Sequence, residues 1–346
     1  MSALLEKDAP TQAGMLYNVR RQLFQSVPPV PVDLRLDGKT VLVTGANVGL
    51  GLACARYFLQ MGAARLVMAV RSVDKGEAAA SPLRKDFPSA QIDVWPLDLA
   101  RPSSVTAFAA RCVADLGRLH VAVLNAGLGK EVFERTPEAR KRETTLQVNY
   151  LSTALLALLL LPVLKPRDGS TEAGRLTLIT SDAALGEKLP VVPPGKTLLD
   201  ALDDPAVFQG FPQYAKTKLI LCMFVAKLAA DIVDPADVIV NTCNPGATKG
   251  TAFLTDIDSW VVKAVMNTLF AVLGRHPEDA ARAYVHASLV LGAESHGSFT
   301  DWKVRCWPVA LYSECGRKTM DQLWEETLEE LGFAGVVDVL NAVKRK

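Results

Sequence analysis

Three observations predict a three-layer α/β/α fold, with a doubly wound parallel sheet, for this 346-residue chain. Short aliphatic and β-branched runs alternate with helical patterns, the order expected of βαβ units. The runs are continuously apolar, which is the composition of strands covered by helices on both faces. A glycine-rich turn, Thr44-Gly45-Ala46-Asn47-Val48-Gly49-Leu50-Gly51, joins the first run to the first helical stretch. In open sheets of this kind, ligands bind beyond the carboxyl ends of the strands.

Residues 1–38 precede the first strand and form an N-terminal extension. Its Val27-Pro28-Pro29-Val30-Pro31 suits neither helix nor central strand, because proline lacks the amide hydrogen and fixes φ. Strands are expected over Thr40–Thr44, Arg65–Val70, Gln91–Leu97, His120–Asn125, Leu176–Ser181 and Val238–Asn244, with a seventh around Ser298–Val304. Helices are expected to begin near Gly49, Asp74, Pro102, Pro137 and Tyr214. Proline suits a first helical turn, where its missing donor costs nothing. The apolar run Leu151 to Leu164 falls short of the roughly 20 residues that span a bilayer. It reads as a helix that is buried or faces a second subunit, as in a homodimer. Residues 39–346 are therefore expected to form a single Rossmann-like domain. Two segments lie outside its pattern: a Pro- and Gly-rich insertion over 185–213, and helices over 247–296 that would form a substrate lid.

Composition sets limits. The formal net charge is +1 with both signs interspersed, so no field favours nucleic acid or an anionic membrane. The six cysteines are scattered with no C-x-x-C, as expected of reduced intracellular thiols in core positions. The four histidines show no ligand spacing, so no metal site is expected. Residues 1–20 are charged and polar, unlike a signal peptide, and a cytoplasmic protein is expected.

In the glycine turn, Gly45, Gly49 and Gly51 let the chain bend sharply and let backbone approach a pyrophosphate with no Cβ in the way. The helix that follows presents free amides and a partial positive charge to the phosphates. Asn47, Val48 and Leu50 belong to the same binding turn. The second strand ends Met68-Ala69-Val70-Arg71-Ser72 with no acid before Asp74. An acid there would accept from adenosine ribose hydroxyls, whereas arginine pairs with a 2′-phosphate. Arg71, assisted by Ser72 and Lys75, thus favours NADP(H). Asp98, beside Leu99 at the third strand's end, either accepts from the adenine amino group or caps the next helix. Asn125-Ala126-Gly127 ends the fourth strand, where small residues leave room for cofactor and the asparagine amide can stabilise the sheet edge.

Tyr214 and Lys218 stand four apart and share one helix face. An ammonium there favours phenolate over phenol, lowering the tyrosine pKa from about 10 toward working pH. Such a tyrosine can give a proton to a carbonyl oxygen or take one from an alcohol. Ser181, ending the fifth strand, can donate a hydrogen bond to the same oxygen. Asn149 lies in a helical run where asparagine has poor propensity, and holding a water that links Lys218 to solvent would account for it.

Gly45/Gly49/Gly51, Asn125-Ala126-Gly127, Asn149, Ser181, Tyr214/Lys218 and Pro245-Gly246-Ala247-Thr248 occur in the order seen in the short-chain dehydrogenase/reductase family, which the chain resembles from about Lys39 to Thr248. The resemblance implies a catalytic tetrad of Asn149, Ser181, Tyr214 and Lys218. It also implies that Pro245, Gly246 and Thr248 contact the nicotinamide end. The Ser-to-Tyr insertion, Val70-Arg71 and the Trp302–Trp324 region look more like the retinol-dehydrogenase-like branch, and the Pro-rich entry is similar to reductases of fungal secondary metabolism. The second serine usual beside the catalytic one is replaced in Thr180-Ser181-Asp182. Asp182 would either oppose an anionic substrate or point to solvent.

The function expected is NADP(H)-dependent reduction of a ketone or aldehyde on a bulky apolar small molecule, or the reverse alcohol oxidation. The alternatives are a non-redox enzyme, such as a cyclase that keeps fold and cofactor as scaffold, and an NADP sensor without turnover. Phe208, Phe211, Phe253, Leu254 and Trp260 are expected to wall the substrate pocket, or else to pack on the core or a partner subunit.

Overall fold

The computed structural model describes residues 3–138, 141–167, 169–249 and 273–344. Each apolar run expected as a strand becomes one: β1 (Thr40–Thr44), β2 (Arg65–Val70), β3 (Gln91–Pro96), β4 (Val121–Leu124), β5 (Gly174–Ile179) and β6 (Val238–Cys243). The seventh is a short parallel strand, β7 (Phe299–Thr300), with an antiparallel return, β8 (Val304–Arg305). The sheet runs β3-β2-β1-β4-β5-β6-β7-β8. The chain winds from β1 outward to β3, then crosses to β4 on the other side of β1, so a crevice opens at their carboxyl ends.

The apolar runs are continuous because both faces are buried. Val41, Val43, Leu66, Met68, Val121 and Val123 enter one core, while Leu42, Val67, Ala69, Ala122 and Leu124 between them enter the other. On the first face lie α3 (Gly49–Gln60) and α9 (Pro277–Val285), packed on each other. Of the 247–296 segment expected as a lid, α9 is thus a covering helix of the sheet. It contributes Ala281, Ala283 and Tyr284 to the core, and residues 250–272 lie outside the described residues. On the second face, α6 (Thr144–Leu164) is covered by α5 (Pro102–Asp115) and the C-terminal α11 (Val336–Val343). Beside them, α10 (Glu314–Glu330) lies on the short α7 (Leu198–Leu202) and on α8 (Gly210–Asp231).

Two helix starts differ from expectation. The helix expected near Pro137 begins at Thr144, where the buried Glu143 carboxylate accepts from the amides of Thr145 (2.7 Å) and Leu146 (2.8 Å) and so defines the end. The helix expected at Tyr214 begins at Gly210 and takes Pro212 into its first turn, where a missing donor goes unnoticed. α6 is also longer than its apolar run. It spans 21 residues through a π turn at Gln147–Leu151, enough by length and composition to cross a membrane, yet 89% of its most apolar window is buried inside the protein.

The N-terminal extension holds two helices, α1 (Ala3–Ala13) and α2 (Met15–Phe24), ahead of the extended Pro-rich entry. α2 is fixed by charge. Arg21, 1% exposed, hydrogen-bonds the fully buried Asp301 and lies 3.6 Å from Asp182. Arg305 on β8 stands 3.5 Å from Asp301 and 3.7 Å from Asp182. Removing one member of a buried ion cluster leaves the others uncompensated, which costs about 3–5 kcal/mol. Arg21→Met is expected to lower unfolding stability by an amount in that range, read from the denaturation midpoint at constant m-value. A loss below about 1 kcal/mol would mean that the cluster does not hold α2.

Candidate active site

A cleft of about 1220 Å³ runs along the carboxyl ends of the strands. Of the positions expected to hold cofactor, Gly45, Asn47, Val48, Gly49, Leu50, Gly51, Arg71, Ser72, Lys75, Asp98, Leu99, Asn125, Ala126, Gly127, Pro245, Gly246 and Thr248 all line it.

The glycines earn their places separately. Gly45 and Gly49 take positive φ (66° and 57°), and a Cβ on Gly51 would lie 2.3 Å from the Gly45 carbonyl oxygen and 2.7 Å from Asn125 Nδ2. Val48 begins α3 in extended conformation without a side-chain cap, so the first amides of that helix are left facing the cleft. This bare helix end, with open space where a Gly49 Cβ would sit, fits a pyrophosphate.

At the far side of the turn, Arg71 is exposed on the cleft and makes no hydrogen bond or ion pair with the described residues. Ser72 caps α4 (Val73–Asp86) by accepting from the Lys75 amide. Asp98 is not the cap of α5, a position held by Arg101. Its carboxylate accepts from the Ala100 amide at 3.0 Å and lies 3.4 Å from Arg101. Asn125 ties β4 to β1: Nδ2 donates to the Thr44 carbonyl (2.8 Å), and Oδ1 accepts from the Tyr284 hydroxyl (2.9 Å).

The four residues expected at the chemical step converge at the other end. Ser181 hydrogen-bonds Tyr214, and because its Oγ also accepts from the Ala183 amide at 3.2 Å, its hydroxyl proton remains to be donated. Lys218 is 4% exposed; its Nζ donates to the Ile179 carbonyl (2.8 Å) and lies 5.7 Å from the Tyr214 ring centre. Burial pushes the ammonium down to about 8. The expected lowering of the Tyr214 pKa is not what this geometry produces. Burial pushes the phenol up, the Ser181 hydrogen bond pulls it down, and Asp182 adds a push upward. Asn149 sits in the π turn of α6, fully buried. Its Oδ1 accepts from the Leu128 amide (2.9 Å), and Nδ2 donates to the Leu128 carbonyl (2.7 Å) and to Thr217 Oγ1 (3.2 Å). Its amide hydrogens are thus spent on locking the β4 exit to α8. A Cβ on Gly127 would come within 3.1 Å of Asn149 Oδ1 and 3.3 Å of Lys218 Nζ, so a glycine there lets both groups gather.

Asp182 neither confronts the cleft as a bare charge nor points to solvent. It is matched by Arg21 and Arg305, and accepts from Asn244 Nδ2 at 2.7 Å. Among the residues expected as substrate wall, Phe211 lines the cleft with its ring 6.2 Å from that of Tyr214. Phe208 does not line it and packs edge-on against Phe133 at 5.5 Å. Phe253, Leu254 and Trp260 lie outside the described residues.

Sequence reasoning missed a wall altogether. Ala13, Met15, Asn18, Val19 and Gln22 of the N-terminal extension line the cleft. Gln22 Nε2 donates to the carbonyls of Ala247 (2.8 Å) and Leu273 (2.9 Å), beyond the Pro245-Gly246 turn. The available signal was the spacing 15, 18, 19, 22, one face of a helix.

An uncapped helix behind a glycine turn, with a Ser–Tyr–Lys cluster on the same cleft, is the arrangement of a nicotinamide-dependent oxidoreductase. Known proteins agree. A family model described as short chain dehydrogenase matches residues 39–192. The short chain dehydrogenase opdN of Penicillium oxalicum is 46% identical over 305 residues, 86% of this chain and 97% of its own. The short chain dehydrogenase virL of Hypocrea virens is 41% identical over the whole of both chains. Among solved structures, L-sorbose reductase from Gluconobacter frateurii, complexed with NADPH and L-sorbose, is 25% identical. It superposes with a TM-score of 0.57 over 79% of this chain and 98% of its own. The chain belongs to the short-chain dehydrogenase/reductase family.

Gly51→Ala forces a Cβ against the Gly45 carbonyl, an overpacking of about 1–3 kcal/mol that the turn can relieve only by opening. The expected outcome is at least a tenfold weaker dissociation constant for NADPH, with a smaller drop in melting temperature. Unchanged affinity in a titration of nucleotide fluorescence would remove this turn from the binding site.

Proposed function

We propose that this protein is a cytoplasmic NADP(H)-dependent reductase of a ketone or aldehyde on a bulky apolar small molecule, able to run in reverse by oxidising the corresponding alcohol with NADP+. The observation that carries the reading is the Ser181–Tyr214–Lys218 cluster, which opens on the same cleft as the bare N-terminus of α3. Gly45, Gly49, Gly51 and the first amides of α3 would hold the pyrophosphate, Arg71 the 2′-phosphate, and Lys218, Pro245, Gly246 and Thr248 the nicotinamide end. When bound, the dinucleotide supplies the hydride.

The chain's own groups handle the oxygen. Ser181 donates a hydrogen bond to the carbonyl and fixes it beside Tyr214. The phenol, kept protonated by burial, gives its proton to that oxygen as negative charge develops. Lys218, below pH about 8, supplies the positive charge that makes the resulting phenolate tolerable. Asn149 positions the Leu128 backbone and Thr217 around them. Support for an apolar substrate comes from Phe211, Leu128, Val19 and Met15, which line the cleft, and from the pairing of Asp182. Support for NADP(H) comes from the unengaged Arg71, and from the NADPH in the L-sorbose reductase complex. The similarity to short chain dehydrogenases of Penicillium oxalicum and Hypocrea virens supports the expected role in fungal secondary metabolism, and the six cysteines, all free, suit a reducing compartment.

Three outcomes are expected. Tyr214→Phe retains NADPH binding and loses a factor of about 10²–10⁴ in carbonyl reduction across an apolar ketone panel; near-native turnover would sink the catalytic assignment. Arg71→Asp raises KM for NADPH about ten- to a hundredfold, the value of a charge-assisted bond worth about 1.5–3 kcal/mol, and leaves NADH nearly unchanged. Equal effects on both would make Arg71 a solvated side chain. Because burial holds Lys218 near 8, its charge is present below that pH and lost above it. NADPH affinity and reduction rate should both decline as pH rises through about 8, a limb absent in Lys218→Met. A flat profile in the native protein would contradict the assignment.

A further inference from the structure

One side chain of α2 reaches the turn that follows β6. Gln22 Nε2 donates to the carbonyls of Ala247 (2.8 Å) and Leu273 (2.9 Å), and Gln22 Oε1 accepts from Arg275 Nη1 (3.0 Å). Arg275 Nη1 also donates to the Pro245 carbonyl at 3.3 Å. Gly246, at φ 76°, completes the contact: a Cβ there would lie 2.5 Å from Gln22 Oε1 and 2.6 Å from Arg275 Nη1. The turn is thus pressed onto the Gln22 amide at a distance that only glycine permits.

Gln22 is itself held in place. Its chain neighbour Arg21 belongs to the ion cluster with Asp301 and Asp182, and Arg275 Nη2 donates to the carbonyls of Arg21 (3.3 Å) and Gln25 (2.9 Å). Beyond the turn, the Arg275 amide donates to the Ala247 carbonyl and the Lys249 amide to the Arg275 carbonyl, each at 2.9 Å. Both hydrogens of Nε2 and the oxygen Oε1 are therefore spent on the turn and on the segment that carries Arg275. Gln22 acts through its neighbours rather than as a polar contact for a ligand. Pro245, Gly246, Ala247 and Thr248 all line the cleft. A turn fixed before a ligand arrives spares the ligand the cost of ordering it.

We infer that Gln22 is a positioning residue: it clamps the Pro245–Thr248 turn, so that the N-terminal extension sets how tightly the nicotinamide half of the dinucleotide is held. The inference deepens the reading above and rests on it for which half of the cofactor meets this turn. The adenosine half, at Arg71 and the glycine turn, is out of reach of the clamp. Loss of Gln22 therefore weakens binding of the whole dinucleotide and spares a fragment that ends short of the nicotinamide.

The test uses the full-length protein and isothermal titration with NADPH and with 2′,5′-ADP, which carries the 2′-phosphate and lacks the nicotinamide. Gln22→Met removes every hydrogen bond of the clamp. Gln22→Glu keeps an acceptor for Arg275 and loses both donations. In each variant the dissociation constant for NADPH should rise about three- to thirtyfold, while that for 2′,5′-ADP stays within a factor of about two of the native value. A second pair, NADH and ADP, should show the same split independently of Arg71. Native NADPH affinity in either variant would overturn the inference. A loss shared by NADPH and 2′,5′-ADP would overturn it too, because the clamp would then only hold the fold. A Gln22-dependent split in binding with no carbonyl reduced by the native protein would keep the clamp and overturn the reductase reading.

Discussion

The buried charges Arg21, Arg305, Asp182 and Asp301 hold the catalytic end of the molecule together. Each comes from a different part of the chain: α2, β8, the residue after Ser181, and the residue after β7. Their desolvation is tolerable only while all are present, so the cluster acts as an all-or-none latch. Ser181 inherits its place from this latch through its neighbour Asp182. Asn244 at the end of β6 joins it from the other side, donating to Asp182 and accepting from the amides of Asp182 and Gly246. The Pro245-Gly246 turn and Ser181 are thereby referred to the same charges.

The opposite end of the cleft is organised by close backbone approach instead. Gly51 lies against the Gly45 carbonyl and Asn125 draws β4 onto β1, so a narrow, rigid bend delivers α3 to the cleft with its amides bare. Two different devices thus serve two ligands. Backbone geometry, indifferent to pH and salt, shapes the dinucleotide end. Charge pairing among Arg21, Arg305, Asp182 and Asp301 shapes the other end.

The middle of the cleft shows how burial tunes chemistry before any ligand arrives. Burial raises the Tyr214 phenol and keeps it the neutral acid, and it brings Lys218 down to about 8. Lys218 reaches the tyrosine across its ring and anchors itself on the Ile179 carbonyl.

Much of this was legible in the residues themselves. The strands were readable because two-sided burial demands unbroken apolar runs, and β1 and β2 appear where Thr40–Thr44 and Arg65–Val70 place them. The glycine turn and the Tyr214/Lys218 spacing were readable because local stereochemistry alone dictates them. The start of α6 was not, since Glu143 becomes a cap only once it is buried against Gln213, whose Nε2 donates to it at 2.9 Å. Nor was the fate of Asp182, whose charged partners lie more than a hundred residues away on either side. The N-terminal extension was the largest gap: as a string it is a short amphipathic segment before prolines, and only the tertiary structure makes it a wall of the active site. Spacing along the chain determines which faces and turns exist, through steric rules that act over a few residues. Which faces meet, and which buried charges find each other, is decided by packing between distant segments, where no local rule reaches.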